Sequence, residues 1–195
     1  MTVYPPVPDL VRPGLAVLFC GINPGVRSGE LGQHFARPGN RFWKALYGSG
    51  FTDRLLVPAE QDDLLEYGLG ITNLVERTSR GAADLDREEL RAGADVLAGK
   101  AARYRPAWIA VLGVQAFQIA FRRPRAHVGR QPERIGGSTG LWVLPNPSGL
   151  QARYQLPEMI ELFSALRVAA GLGLSPDPGE EPGRPGGGPP AAGGT

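Results

Sequence analysis

The sequence predicts an α/β fold with a mainly parallel central sheet of four to five strands, covered by helices on both faces. Two observations carry this. Continuous apolar runs recur at Leu15–Cys20, Trp108–Leu112 and Leu141–Leu144, as strands buried on both faces require. Between them lie longer stretches of helical period, the pattern of a parallel sheet with crossover helices.

Each element has its own warrant. Leu15-Ala-Val-Leu-Phe-Cys20 stops at Gly21. Asn40 to Tyr47 reads as a helix with Asn40 as N-cap and Phe42, Trp43 and Leu46 turned inward. Pro58 to Tyr67 reads as a second helix, with proline tolerated in the first turn. Gly70-Ile-Thr-Asn-Leu-Val75 is a strand candidate. Asp86 to Tyr104 is the longest helix. Asp86 and Glu89 form a capping-box pair, and Leu90, Leu97 and Ala101 share one stripe. Gly113 leads from Trp108–Leu112 into a helix from Val114 to Phe121, and Leu156 to Ala170 closes the fold.

Composition bounds the rest. The 195 residues suit a single domain, placed at 1–174, and 42% of them are hydrophobic, enough for a core. The net charge of +2 excludes a charge-disordered chain and a histone-like polycation. Only two of the 21 basic residues are lysines, Lys44 and Lys100; arginines suit bidentate phosphate contacts. Cys20 is the single cysteine, so neither an internal disulfide nor a cysteine-based zinc site is expected. With no membrane-length apolar run and no signal-peptide pattern, a soluble, cytoplasmic protein is expected, with a monomer as the default. Of the 21 residues from 175 to 195, 13 are Gly or Pro, which predicts a disordered tail.

Ligands of open parallel sheets bind beyond the carboxyl ends of the strands. Two predicted strands exit there into similar loops, Gly21-Ile22-Asn23-Pro24-Gly25 and Pro145-Asn146-Pro147-Ser148-Gly149-Leu150. Proline keeps each asparagine backbone extended. Two side-chain amides thus converge at one sheet end, where they can both donate to and accept from a pyrimidine edge or a water. The plainer reading is a pair of ordinary turns. Between these loops, Gly32-Gln-His-Phe-Ala-Arg-Pro-Gly-Asn-Arg-Phe-Trp-Lys44 is dense in aromatic and basic residues. Phe35 sits on a loop where it can stack on a flat base or plug the loop from below. Arg37, Arg41 and Lys44 can track phosphates or form a solvated helix face.

Other motifs are weak. No Gly-x-Gly-x-x-Gly follows a strand, and there is no P-loop. Gly136-Gly-Ser-Thr-Gly140 matches a nucleophile elbow but precedes a strand, so it reads as a turn. His34 and His127 offer no metal spacing.

Taken together and in order, Gly21-Ile-Asn-Pro-Gly25, His34-Phe35, Arg37-Pro-Gly-Asn-Arg-Phe-Trp-Lys44 and Asn146-Pro-Ser-Gly-Leu150 resemble the mismatch-specific uracil-DNA glycosylases. This is the bacterial mismatch uracil and thymine-DNA glycosylase branch of the uracil-DNA glycosylase superfamily. Thr72-Asn-Leu-Val-Glu-Arg-Thr78 and Glu89-Leu-Arg-Ala-Gly93 are similar to the same family, and the likeness runs from about Leu15 to Ala170.

The resemblance implies a three-layer α/β/α fold and no cofactor. It implies hydrolysis of the N-glycosidic bond of mispaired uracil in double-stranded DNA, leaving an abasic site. Ethenocytosine, and thymine opposite guanine, are further substrates it implies. It makes Asn23 the residue that orients the attacking water. Ile22, Ser28, Phe35 and Asn146 become the base pocket, with Phe35 stacking on the flipped base. Gly149 and Leu150 become a wedge into the duplex. Arg153, one residue beyond the place where bacterial relatives carry an arginine, becomes a DNA contact.

Asparagine cannot take a proton as a carboxylate does, which invites a search for an extra acid. Glu30, Asp84 and Asp95 are candidates, and Asp95 is singled out to assist water activation against the plainer reading of a solvated helix carboxylate. Two alternatives stand beside the glycosylase: an α/β enzyme acting on a nucleoside or nucleotide, and a lesion-binding module without chemistry.

Overall fold

The computed structural model describes residues 4–174; the predicted tail at 175–195 lies outside them. Five strands form one sheet in the order β2-β1-β3-β5-β4. They are β1 (Val17–Gly21), β2 (Leu69–Asn73), β3 (Trp108–Leu112), β4 (Gly129–Ile135) and β5 (Thr139–Leu144). All pairings are parallel except β4 with β5. The helices are α1 (Val26–Leu31), α2 (Phe42–Gly48), α3 (Arg87–Tyr104), α4 (Val114–Ala120) and α5 (Leu156–Ala169).

Strand side chains alternate between two cores. Val17, Phe19, Ala110, Leu112, Trp142 and Leu144 join α2 and α5 on one face. Leu18, Cys20, Ile109, Val111, Leu141 and Val143 join α3 and α4 on the other. The inner strands β1, β3 and β5 meet water on neither face, which is why they are almost wholly apolar. Phe19 is the hub of the first core. Its ring meets Phe42 and Phe51 edge-on at 5.4 and 5.5 Å and stacks on Phe163 at 5.8 Å. Burying one such ring contributes about 1.5–3 kcal/mol.

The long helix α3 starts as expected. Asp86 accepts from the Glu89 N–H at 2.8 Å, and the Glu89 carboxylate accepts from the Asp86 N–H at 2.9 Å. Gly93 lets α3 pass directly over the chain leaving β2: a Cβ there would lie 2.3 Å from the Leu74 carbonyl oxygen.

Three elements differ from expectation. Strand β4 was not foreseen. Its sequence, Gly-Arg-Gln-Pro-Glu-Arg-Ile, carries charges and a proline, and such strands persist at sheet edges where one side needs no ladder bonds. The β4–β5 register shifts between Arg130 and Arg134, around Pro132. Gly136 and Gly137, both at positive φ, make the β4–β5 turn, so the Gly-x-Ser-x-Gly match is a hairpin connection. The segment Pro58–Leu65 is 3-10 rather than α-helical, and the short helix α1 is an element that the sequence pattern does not signal. No helix among the described residues is long and apolar enough to cross a membrane.

Candidate active site

The loops leaving β1 and β2 continue to pair after the strands end. Leu74 N donates to Gly21 O at 2.9 Å, Val75 N to Ile22 O at 2.9 Å, and Ser79 N to Pro24 O at 3.1 Å. Within this zipped pair, the half-buried Asn23 Nδ2 donates to Ser79 Oγ at 2.8 Å, to Pro24 O at 3.0 Å and to Arg77 O at 3.4 Å. Two of these partners are carbonyl oxygens, which only accept, so the orientation of the amide is set by chemistry. Ser79 Oγ donates its own proton to Gly81 O at 2.7 Å and turns a lone pair to Asn23. Asn23 Oδ1 is left with no protein donor among the described residues, an acceptor free for a water.

Phe35 stands beside this loop. Its backbone is left-handed, φ 53°, and its ring stacks on Phe42 with centroids 4.1 Å apart. A Cβ on Gly21 would lie 3.4 Å from the Phe35 ring and 2.5 Å from Asn73 Oδ1, so glycine there makes room for both. Ser28 lies on α1, not in a loop. It is buried, and its Oγ accepts from Ala36 N at 3.2 Å, which ties α1 to the Phe35 turn. On the other side His34 is buried, with Nε2 2.9 Å from Pro8 O and its main-chain N–H donated to Gln61 Oε1 at 2.8 Å. Burial lowers the His34 pKa and keeps the ring neutral.

Asn73, at the carboxyl end of β2, went unremarked in the sequence as a site residue. It is 7% exposed, pairs with Gly21 across the sheet, and its side-chain amide has no hydrogen bond among the described residues. Its signal was an amide at the last position of an otherwise buried strand.

The second loop, after β5, lines a cleft of about 610 Å³ that includes Ile22, Gly113, Asn146, Arg153 and Tyr154. Central strand β3 ends in Gly113, where a Cβ would come 3.0 Å from Ile22 Cδ1, so this glycine clears the floor between the two loops. Asn146 Oδ1 accepts from Ser148 N at 3.0 Å, and the Asn146 Nδ2 donors remain free. Leu150 is 73% exposed. The exposed Arg153 places its guanidinium over the Tyr154 ring, 5.4 Å from the centroid.

The structure corrects two assignments. Arg41 does not track phosphates. Its guanidinium donates to the carbonyl oxygens of Tyr154 at 2.6 Å and of Ser148 and Gln151 at 2.8 Å. Arg37 and Lys44 remain exposed, without ion pairs among the described residues. Asp95 shares no hydrogen bond with Asn23 among the described residues. It is exposed on α3 and lines a separate groove between α3, α4 and β4, with Phe117, Arg122 and Glu133. Asp84 is occupied by the N–H groups of Arg80 and Gly81, and Glu30 by Tyr4 and Arg27.

Two asparagine-bearing loops, a loop phenylalanine stacked on Phe42 and an exposed leucine thus lie together beyond the carboxyl ends of the strands. Residues 8–167 match the family profile of the Uracil DNA glycosylase superfamily, and the chain belongs to that superfamily. Its fold is also similar to the solution NMR structure of a proposed uracil DNA glycosylase from Methanosarcina acetivorans. The TM-score is 0.57 at 17% identity, over 85% of this chain and 99% of that one.

Proposed function

We propose that this single-domain glycosylase belongs to the mismatch-specific branch and removes mispaired uracil from double-stranded DNA, with ethenocytosine, or thymine opposite guanine, as further substrates. The observation that carries this is the Asn23 amide, with its nitrogen tied to Ser79 and two carbonyls and its oxygen left open.

The glycosidic carbon is hidden in a duplex, so the base must be extruded at a cost of a few kcal/mol, least for a mispaired one. Leu150 fills the vacated stack as a wedge. The flipped base lies against Phe35, whose far side is already supported by Phe42. The free Asn73 amide and the free Asn146 Nδ2 donors face a pyrimidine's polar edge. Asn23 Oδ1 accepts from the water and aims it at the sugar carbon. As the bond to the base breaks, positive charge grows on the sugar and negative charge on the base. Main-chain N–H groups of the Gly21–Gly25 and Phe35 loops stabilise that base charge. The water's proton is not drawn off by a strong base, so turnover is slow and leaving-group stabilisation dominates.

The test is single-turnover incubation with duplexes carrying G·U, A·U and G·T, followed by alkali to cut abasic sites. Cleavage of G·U ahead of A·U supports the reading. Equal cleavage of G·U and A·U overturns the mismatch preference. Tight binding without abasic product identifies a lesion-binding module. Neither binding nor cleavage returns the search to nucleoside-sized substrates.

A further inference from the structure

We infer that Arg41 is a positioning residue for base extrusion: its guanidinium holds the Pro147–Tyr154 loop in the shape that presents Leu150 to the duplex. The inference rests on the wedge reading of Leu150 above. Leu150 is 73% exposed and belongs to neither hydrophobic core, so its own burial does not fix it. Its position has to come from the main chain around it.

Within the loop, Leu150 N donates to Ser148 Oγ at 3.4 Å and Gln151 N to Ser148 O at 3.0 Å; from outside it, that main chain is held by one residue. Arg41 N donates to Pro147 O at 2.9 Å. Its side chain reaches Ser148 O, Gln151 O and Tyr154 O at 2.6–2.8 Å. Four carbonyls of one loop thus converge on Arg41, on both sides of Leu150. Carbonyl oxygens gathered in this way repel one another unless a cation with several donors lies between them. The planar guanidinium fork supplies donors in fixed directions, whereas a lysine ammonium supplies a point charge. A second contact points the same way. Gly149 lies so close to the Arg37–Arg41 segment that a Cβ would come 2.8 Å from Gly39 O. The loop is therefore seated on the start of α2 and pinned there. A leucine pushed into a base stack must resist the few kcal/mol that drive the base back. An anchored loop does so, and a loose one recoils.

The experiment compares single-turnover uracil excision from a G·U duplex with excision from a bubble in which the uracil is already unpaired. Arg41→Lys is expected to lose about tenfold on G·U, the worth of one charge-assisted hydrogen bond, and much less on the bubble. A purely structural role would lower both equally, and that result, or no loss on either, overturns the inference. Gly149→Ala disturbs the same seat from the loop side and is expected to show the same selective loss, which covers an Arg41→Lys protein that does not fold. Leu150→Ala separates the two levels. If it spares G·U excision, the wedge reading falls and takes the inference with it. If Leu150→Ala is selective and Arg41→Lys is not, the inference alone falls. A wild-type protein that excises neither substrate overturns both.

Discussion

The two loops that meet at the carboxyl end of the sheet are fixed by opposite means. The Asn23 loop is zipped by main-chain hydrogen bonds to the chain leaving β2, and Ser79 and Arg77 complete the hold on its amide. The Leu150 loop has no such ladder; from outside, the Arg41 main-chain N–H and guanidinium hold it, and short internal bonds such as Gln151 N to Ser148 O do the rest. The difference follows the work of each. A water aimed at a sugar carbon tolerates little displacement, since an error of about 1 Å costs on the order of a hundredfold in rate. On the proposed reading Leu150 enters and leaves DNA, which suits an exposed side chain on a loop outside both cores.

The largest effect that tests this contrast is at Asn23. Asn23→Ala removes the oriented acceptor while leaving the loops zipped. Single-turnover excision is expected to fall about a hundredfold or more, with binding to G·U duplex retained. A variant that keeps most of its rate would show that the water is aimed by another group.

Next is the support beneath the zipped loop. Gly93→Ala places a Cβ 2.3 Å from the Leu74 carbonyl oxygen, where backbone must move. A destabilisation of about 1–3 kcal/mol is expected, read as a lower melting temperature. Excision should fall equally on paired and unpaired uracil, because the damage lies on the Asn23 side. A selective loss on the duplex would mean that α3 also supports the wedge.

Ser79→Ala is expected to act more mildly. It removes one hydrogen bond to Asn23 Nδ2 but leaves the contacts to Pro24 O and Arg77 O. Excision is expected to fall by up to about tenfold, the worth of one such bond, with little change in melting temperature. A loss as large as that of Asn23→Ala would make the serine hydroxyl itself part of the chemistry.

Much of this arrangement was legible in the residues, and the gaps have physical reasons. Strand β3 matched its expected bounds because Trp108-Ile-Ala-Val-Leu112 is apolar throughout and ends at glycine. The start of α3 was marked by Asp86 and Glu89, whose capping contacts are local in sequence. The asparagine loops stood out because Asn-Pro pairs follow buried strands. The hold of Ser79 on Asn23 and the carbonyl partners of Arg41 did not, because those partners are 56 and 107 or more residues away and are chosen by the sheet order. Strand β4 was hidden by charges that an edge strand tolerates. Asp95 shows the same limit: the sequence places it on α3, but only packing decides which groove a helix face meets.

The smallest expected effect concerns acid. His34 has a pKa lowered by burial, so protons bind the unfolded chain more readily than the folded one. Its contribution to stability is complete above about pH 6.5 and diminishes as pH falls below that value. Glu89 behaves in the same direction at lower pH. The Arg77 side chain, then the Asp86 N–H, hold its carboxyl down to about 2. A depressed carboxyl stabilises above its unfolded value, and the gain is lost as pH falls from about 4.5 toward 2. Melting temperature against pH should therefore decline in two stages. Glu89→Gln is expected to flatten the lower stage alone and to leave neutral-pH excision nearly unchanged, because Ser79 and Pro24 still hold Asn23. If Glu89→Gln instead lowers excision at neutral pH as much as Ser79→Ala does, the Arg77 carbonyl is the stronger hold on the asparagine, and the zipped loop depends on side chains as the wedge loop does.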